Sequence, residues 1–294
     1  MVRAIRGAAV ALLALVLLPA CGSSSGSSKD VVIGSANFPE NQLLGEIYAQ
    51  ALEAKKVTVT RKFNIGAREV IYKQISNGGL SVLPEYNGAL LAYLDKANTA
   101  STTADVNAAL KSKLPSTLAI LESAPAQDKD SLCVSKSTAD KDSLKSIEDL
   151  KADAGQLVLG GPPEFKTRQQ GVVGLKSVYG LDFKEFRSLD TAGPVTVTAL
   201  QKGDIQVANL FSTDPAIAVN NFVVLDDPKN LFGSQNVTPL INKSAVNDTA
   251  QSALNAVSAK LDTPTLTQLM RKLAVDKQDP DKVAKDWLKT AGLG

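Results

Sequence analysis

Apolar positions along this chain change their spacing again and again. The run VVIGS (31–35) is short and rich in β-formers, residues 40–55 place Leu43, Leu44, Ile47, Tyr48, Ala51 and Leu52 on one helical face, and VTVTRKF (57–63) alternates like a strand. Helical spacing returns at 67–77, 89–94, 168–179 and 195–202, interleaved with strand-like runs at 81–83, 156–160, 183–186 and 205–211. Repeated βα units predict a mostly parallel sheet with helices on both faces, and so many units predict two sheets. Turn-forming segments at 124–129 (APAQDK) and 226–236 (DDPKNLFGSQN) bracket the later units, and a strand-like VTPLI (237–241) follows them, so the second domain reads as an insertion into the first. Three helical segments, 247–261, 265–274 and 280–290, then close the chain. Asp262 or Thr263 before Pro264, and Asp279 before Pro280, supply caps for the last two.

The first 28 residues follow another pattern. Arg3 and Arg6 form a basic head, residues 8–18 an apolar stretch shorter than the roughly 20 residues of a membrane-spanning helix, and LPAC follows. An export signal over 1–20 is expected. Leu18 to Cys21 resembles the bacterial lipobox, with Pro19 off its pattern, and the resemblance implies acylation of Cys21 as the first mature residue. Simple secretion is the alternative. The serine-rich segment over 21–29 reads as a flexible tether in either case. The expected place is the extracytoplasmic face of the cell membrane, held by lipid. The other cysteine, Cys133 in the apolar SLCVS, is left without a partner and is expected to be a small buried hydrophobe.

A content of 44% hydrophobic and 21% charged residues gives enough apolar surface for two moderate domains. The chain has no histidine, which excludes a Ser-His-Asp triad and a His-ligated zinc site. Its formal charge of +2 is accounted for by Arg3 and Arg6, since no acid precedes Cys21, so nothing points to nucleic acid. No metal or other cofactor is expected. Glu40, Glu85 and Asp214 are available for acid–base work, yet no nucleophile pairs with a base, so an enzyme is not expected; a structural lipoprotein is a further alternative.

The hexapeptide LPEYNG (83–88) marks a corner from strand to helix. Pro84 fixes its own φ and biases Leu83 to extended geometry, while Gly88 allows close approach of another segment. Tyr86 at its tip either packs at a domain edge or faces a ligand.

Three stretches, IGSANFPENQLLGEIYAQALEAK, REVIYKQISNGGLSVLPEYNGALLAYL and ALQKGDIQVANLFSTDPAI, carry a resemblance. They are similar to the substrate-binding proteins of glycine betaine/choline/carnitine (quaternary amine, osmoprotectant) ABC transporters, from about Val31 to the C-terminus. The resemblance implies an α/β, bilobed periplasmic-binding-protein fold of type II, with two mixed, mostly parallel sheets flanked by helices and a hinge between lobes. Lobe 1 would comprise 30–128 and 236–294, and lobe 2 residues 129–235. It also implies a monomer that captures a small molecule in the interlobe cleft and delivers it to a permease and its ATPase.

Such proteins hold a trimethylammonium group in an aromatic cage. The resemblance makes Tyr86 one wall, and Phe211 either a second wall or a strand-end core residue. Asp130, Val197, Gln235 and Asn236 stand where relatives place further aromatics, and Ala36 and Ala89 where some carry lysine and threonine. Arg168 either pairs a ligand carboxylate or is solvated. Asn37, Phe38, Asn87 and Thr213 complete the candidate set. A depleted cage implies weak glycine betaine binding, or a hydroxylated ligand (polyol, sugar or phenol) met by Asp130, Gln235, Asn236 and Asn37.

Overall fold

A computed structural model describes Met1 and residues 30–294; the expected export signal, Cys21 and the tether over 21–29 lie outside the described residues. The first strand-like run becomes β1 (Val31–Ala36), and the helical face that follows becomes α1 (Pro39–Glu53), with Pro39 in its first turn. β2 (Val59–Gly66), α2 (Arg68–Ser76), β3 (Val82–Tyr86) and α3 (Asn87–Leu94) come next. β3 passes into α3 with no loop between them. α4 (Thr103–Lys113), capped by the Thr102 side chain, and β4 (Leu118–Ile120) end this part of the chain.

A second unit begins with β5 (Asp130–Val134) and α5 (Lys136–Asp142), continues through β6 (Val158–Gly161), α6 (Val172–Tyr179), β7 (Glu185–Ser188), α7 (Pro194–Lys202), β8 (Val207–Phe211) and α8 (Pro215–Val219), and ends at β9 (Val223–Val224). The chain then returns with β10 (Val237–Asn242), followed by α9 (Asp248–Lys260), α10 (Thr263–Ala274) and α11 (Pro280–Ala291). The strands form two mixed five-stranded sheets, ordered β2-β1-β3-β10-β4 and β7-β6-β8-β5-β9. Each has one core. Leu44, Ile47 and Leu52 of α1 pack with Leu254 of α9 and Trp287 of α11, and Leu132, Leu159, Phe165, Leu175 and Val207 pack in the other unit. Full burial of one such side chain contributes about 1.5–3 kcal/mol.

Two details fix the corner at LPEYNG. Pro84 lies inside β3 opposite Pro239 of β10, so two residues without an N–H face each other in an antiparallel pair. This is tolerated because β1 has left β3 after Val82, and the Pro84 carbonyl instead accepts from Asn41 Nδ2 at 3.0 Å. Gly88 sits under the returning chain. A Cβ there would lie 2.0 Å from the Ser234 carbonyl oxygen, inside any real contact, so no other residue fits without moving that segment.

Some elements differ from expectation. The helix expected over 168–179 starts only at Val172, because a 3-10 helix over Pro163–Lys166 runs into a turn that holds Arg168. β4, β5, β9, α4, α5 and α8 were not marked by the sequence pattern.

Candidate functional site

The C-terminal ends of β1, β3 and β8 meet between the two sheets. Phe38 follows β1, Tyr86 ends β3 and Phe211 ends β8, so three rings from three strand ends converge. The Phe38 and Tyr86 centroids are 6.2 Å apart with planes at 28°, and those of Phe38 and Phe211 are 5.2 Å apart at 40°. They border a narrow cleft with about 590 Å³ of empty space, part of it open to solvent, lined also by Asn37, Asn41, Arg68, Asp130, Arg168 and Gln235. Ligands of open α/β folds bind outside the strand ends in this way.

The charges in the cleft are largely paired. Arg68 presents Nε and Nη2 to Glu85 at 2.9–3.1 Å, and Arg168 forks onto Glu69 at 2.9 and 3.0 Å, tying the second unit to the first. Among the described residues Asp130 makes no direct ion pair; its Oδ1 accepts from Asn209 Nδ2 at 3.0 Å and its Oδ2 from Gln235 Nε2 at 3.5 Å. Burial raises its pKa, while Asn209 and the two arginines pull the other way. Asp130 and Phe211 are Cα partners across β5 and β8, which places the carboxylate beside the ring.

Behind Tyr86 a second polar group joins the lobes. Glu40 and Asp128 are each 2% exposed and meet at the Thr213 hydroxyl. Tyr86 Oη donates to Glu40 Oε1 at 2.8 Å, and the Asp128 Oδ1 accepts from Thr213 N–H at 3.1 Å. The Thr213 hydroxyl stands within bonding distance of Glu40 Oε2 and of Asp128 Oδ1, yet it has one proton. The set closes only if a proton is shared between the carboxyls. Burial raises the pKa of both; the charge of Glu40 raises that of Asp128 further, whereas hydrogen bonds from Thr213 and Tyr86 oppose the rise for Glu40. The two chain crossings run side by side here, with a bridge between Gln127 and Asn236 and the Asp128 N–H donating to the Gln235 carbonyl at 3.1 Å.

Of the residues singled out in the sequence, Asn37, Phe38, Tyr86, Asp130, Arg168, Phe211 and Gln235 line the cleft. Three do not. Asn87 accepts from the Asn236 and Gly88 N–H groups, Asn236 donates to the Ala124 carbonyl, and Thr213 belongs to the carboxyl pair. These polar side chains are consumed by backbone and scaffold. Val197 lies outside the cleft, and Phe38 supplies a ring that the motif comparison did not count as a wall. Arg68, Asn41, Glu40 and Asp128 were missed as site residues. Asn41 bridges the Ala36 N–H and the Pro84 carbonyl, pinning β1 to β3 beneath the rings. Cys133 is a free, fully buried thiol, its pKa pushed up to about 12 by burial.

Two lobes of mixed sheet, with a cleft between them and paired crossings at its base, define the bilobed type II periplasmic binding proteins. The chain belongs to the family of the substrate binding domain of ABC-type glycine betaine transport systems, whose model matches residues 29–290. It is 30% identical over 293 residues to the glycine betaine-binding protein YehZ of Escherichia coli strain K12, covering 95% of this chain and 96% of that protein. The crystal structure of a glycine betaine/carnitine/choline ABC transporter superposes with a TM-score of 0.69 at 23% identity, covering 90% of this chain and 99% of the other. Lactococcal OpuAC, closed and complexed with glycine betaine, gives a TM-score of 0.65 at 17% identity over 90% of this chain and 96% of that one. The protein is thus a substrate-binding protein of a glycine betaine-type ABC transporter, and its relatives are solute carriers rather than enzymes.

Proposed function

We propose that the cleft holds a quaternary ammonium ion among Phe38, Tyr86 and Phe211, with the Asp130 carboxylate as its counter-charge, and that the lobes close over it before delivery to a permease driven by an ATPase. The observation that carries this is the meeting of three rings from both lobes beside an acid that has no ion-pair partner among the described residues. A ring face attracts a cation by about 0.5–2 kcal/mol when both are desolvated. A zwitterion such as glycine betaine gains less here. Its carboxylate is repelled by Asp130, and the forks of Arg68 and Arg168 are already filled by Glu85 and Glu69. Glycine betaine therefore binds weakly, and choline, a cation without a carboxylate, binds more tightly.

Calorimetric titration of the purified protein tests this. The Asp130→Asn protein is expected to lose about tenfold of its choline affinity, as removal of one nearby charge costs on the order of 1–2 kcal/mol, while glycine betaine affinity holds or improves. Equal weakening of both ligands, or choline affinity untouched by the substitution, sinks the assignment of Asp130.

The same reading places the protein at the extracytoplasmic face of the membrane, acylated at Cys21, as a single chain. What supports it is the basic, apolar and LPAC succession of the leader. Cys21→Ala is expected to shift the protein from the membrane fraction to the medium, or to stop its processing; unchanged fractionation would contradict the anchor.

A further inference from the structure

A second chamber adjoins the ligand cleft. It has about 1000 Å³ of empty space, part of it open to solvent, and shares Phe38, Phe211 and Thr191 with the first as a common wall. The two differ in chemistry. The first is rimmed by Arg68, Arg168, Glu85 and Asp130, whereas the second is chiefly apolar, with Pro194 and Val197 from the inserted lobe facing Met270 and Leu273 of α10. Val197 and Leu273 are only partly buried, so apolar surface that either lobe core could have covered is left facing this space. Phe38 and Phe211 are themselves half-buried. Because each chamber has walls from both lobes, parting of the lobes exposes both together. Phe38 and Phe211, 5.2 Å apart between centroids, belong to different lobes, so parting of the lobes also opens the common wall that a ligand spanning the two chambers has to cross.

We propose that this chamber takes the apolar tail of a quaternary ammonium ligand whose head lies in the aromatic cleft, so that the site accepts trimethylammonium compounds bearing an alkyl or acyl chain. The proposal rests on the reading of the cleft as a cation site, and adds a specificity to it. Its energetic source is removal of the chain from water against Pro194, Val197, Met270 and Leu273. The polar groups at the edge, Asp214 and Lys277, leave the far end wet.

The test is a calorimetric series of tetramethylammonium and its butyl-, hexyl- and octyl-trimethylammonium relatives, below their micelle concentrations, with hexyl sulfate as a tail-matched anion. In the unaltered protein, affinity is expected to rise by about threefold for each added methylene until the chain outgrows the chamber. Val197→Trp and Leu273→Trp, which narrow the chamber, are expected to abolish that rise and leave tetramethylammonium binding unchanged, which also reports that they fold. Affinity that is flat or falling with chain length in the unaltered protein overturns the proposal, as does a rise that survives both tryptophans or hexyl sulfate binding as tightly as its ammonium counterpart. Failure of tetramethylammonium and every longer member to bind removes the cation reading itself, and the tail chamber with it. Short members that bind without chain-length dependence remove the chamber alone.

Discussion

Relative to the unaltered protein, the Asp128→Asn protein is expected to bind choline increasingly well as pH rises, by up to about tenfold per unit. The reason is the proton shared by Glu40 and Asp128 across the hinge. Both pKa values are raised with the lobes joined as they are here, Thr213 of one against Glu40 of the other, from 4.5 for Glu40 and from 3.8, by a wide margin, for Asp128, and burial is the main cause. A group whose pKa is raised on closing stabilises the closed form fully below its ordinary value. That contribution is lost as pH climbs through the raised value. In the unaltered protein the open form therefore gains on the closed one from above about pH 4.5. An asparagine amide donates to Glu40 at every pH, so the variant is spared. Asp130 and Asp214, whose own pKa values are raised, the latter to about 6, titrate in both proteins and cancel in the ratio. Tyr86 stays protonated, its hydroxyl held well above its usual pKa by burial and by the charge of Glu40. Titration of both proteins at several pH values from 5 to 9 decides the matter; a ratio that does not move with pH would rule out a shared proton.

Phe38→Ala is expected to cost choline about tenfold to a hundredfold in affinity, more than its own cation contact accounts for. Phe38 is the central ring of the three, stacked on Tyr86 and tilted against Phe211, so its removal takes one wall away and lets the other two relax. Phe38 also packs against both core clusters of the first lobe, so the melting temperature without ligand is expected to fall as well. Phe38→Trp, which keeps a ring face, should retain most of the affinity. Calorimetry with choline and a melting curve without it separate the two effects. Unaltered choline affinity in Phe38→Ala would show that the rings pack against each other and not on a ligand.

The layered architecture was legible because βα alternation depends on spacing that a single chain displays directly. Elements without such spacing were not. β4 has three residues and β9 two, too few for a period, and α4 (TADVNAALKSK) buries only Val106 and Leu110. Tyr86 was legible as special, since Pro84 and Gly88 announce an unusual backbone around it. Phe38 as a cage wall was not, because its meeting with Phe211 depends on how two lobes sit against each other. Asn87, Thr213 and Asn236 raise the opposite difficulty, since each bonds within the protein here. A buried polar side chain that bonds to backbone and one that bonds to a ligand have the same sequence, and only the partners tell them apart.

The place of β10 between β3 and β4 has a consequence for how the chain assembles. Strand β4 joins its sheet only through β10, and β10 is made after the whole inserted lobe. The inserted lobe can pair its strands from one continuous segment, while the first lobe must wait with three strands and an open, apolar edge at β3. Its closure is the long-range step, and such pairings are slow. The lobe that begins the chain is therefore the one that finishes folding, and until the returning strand arrives its exposed edge is where mispairing between chains would start.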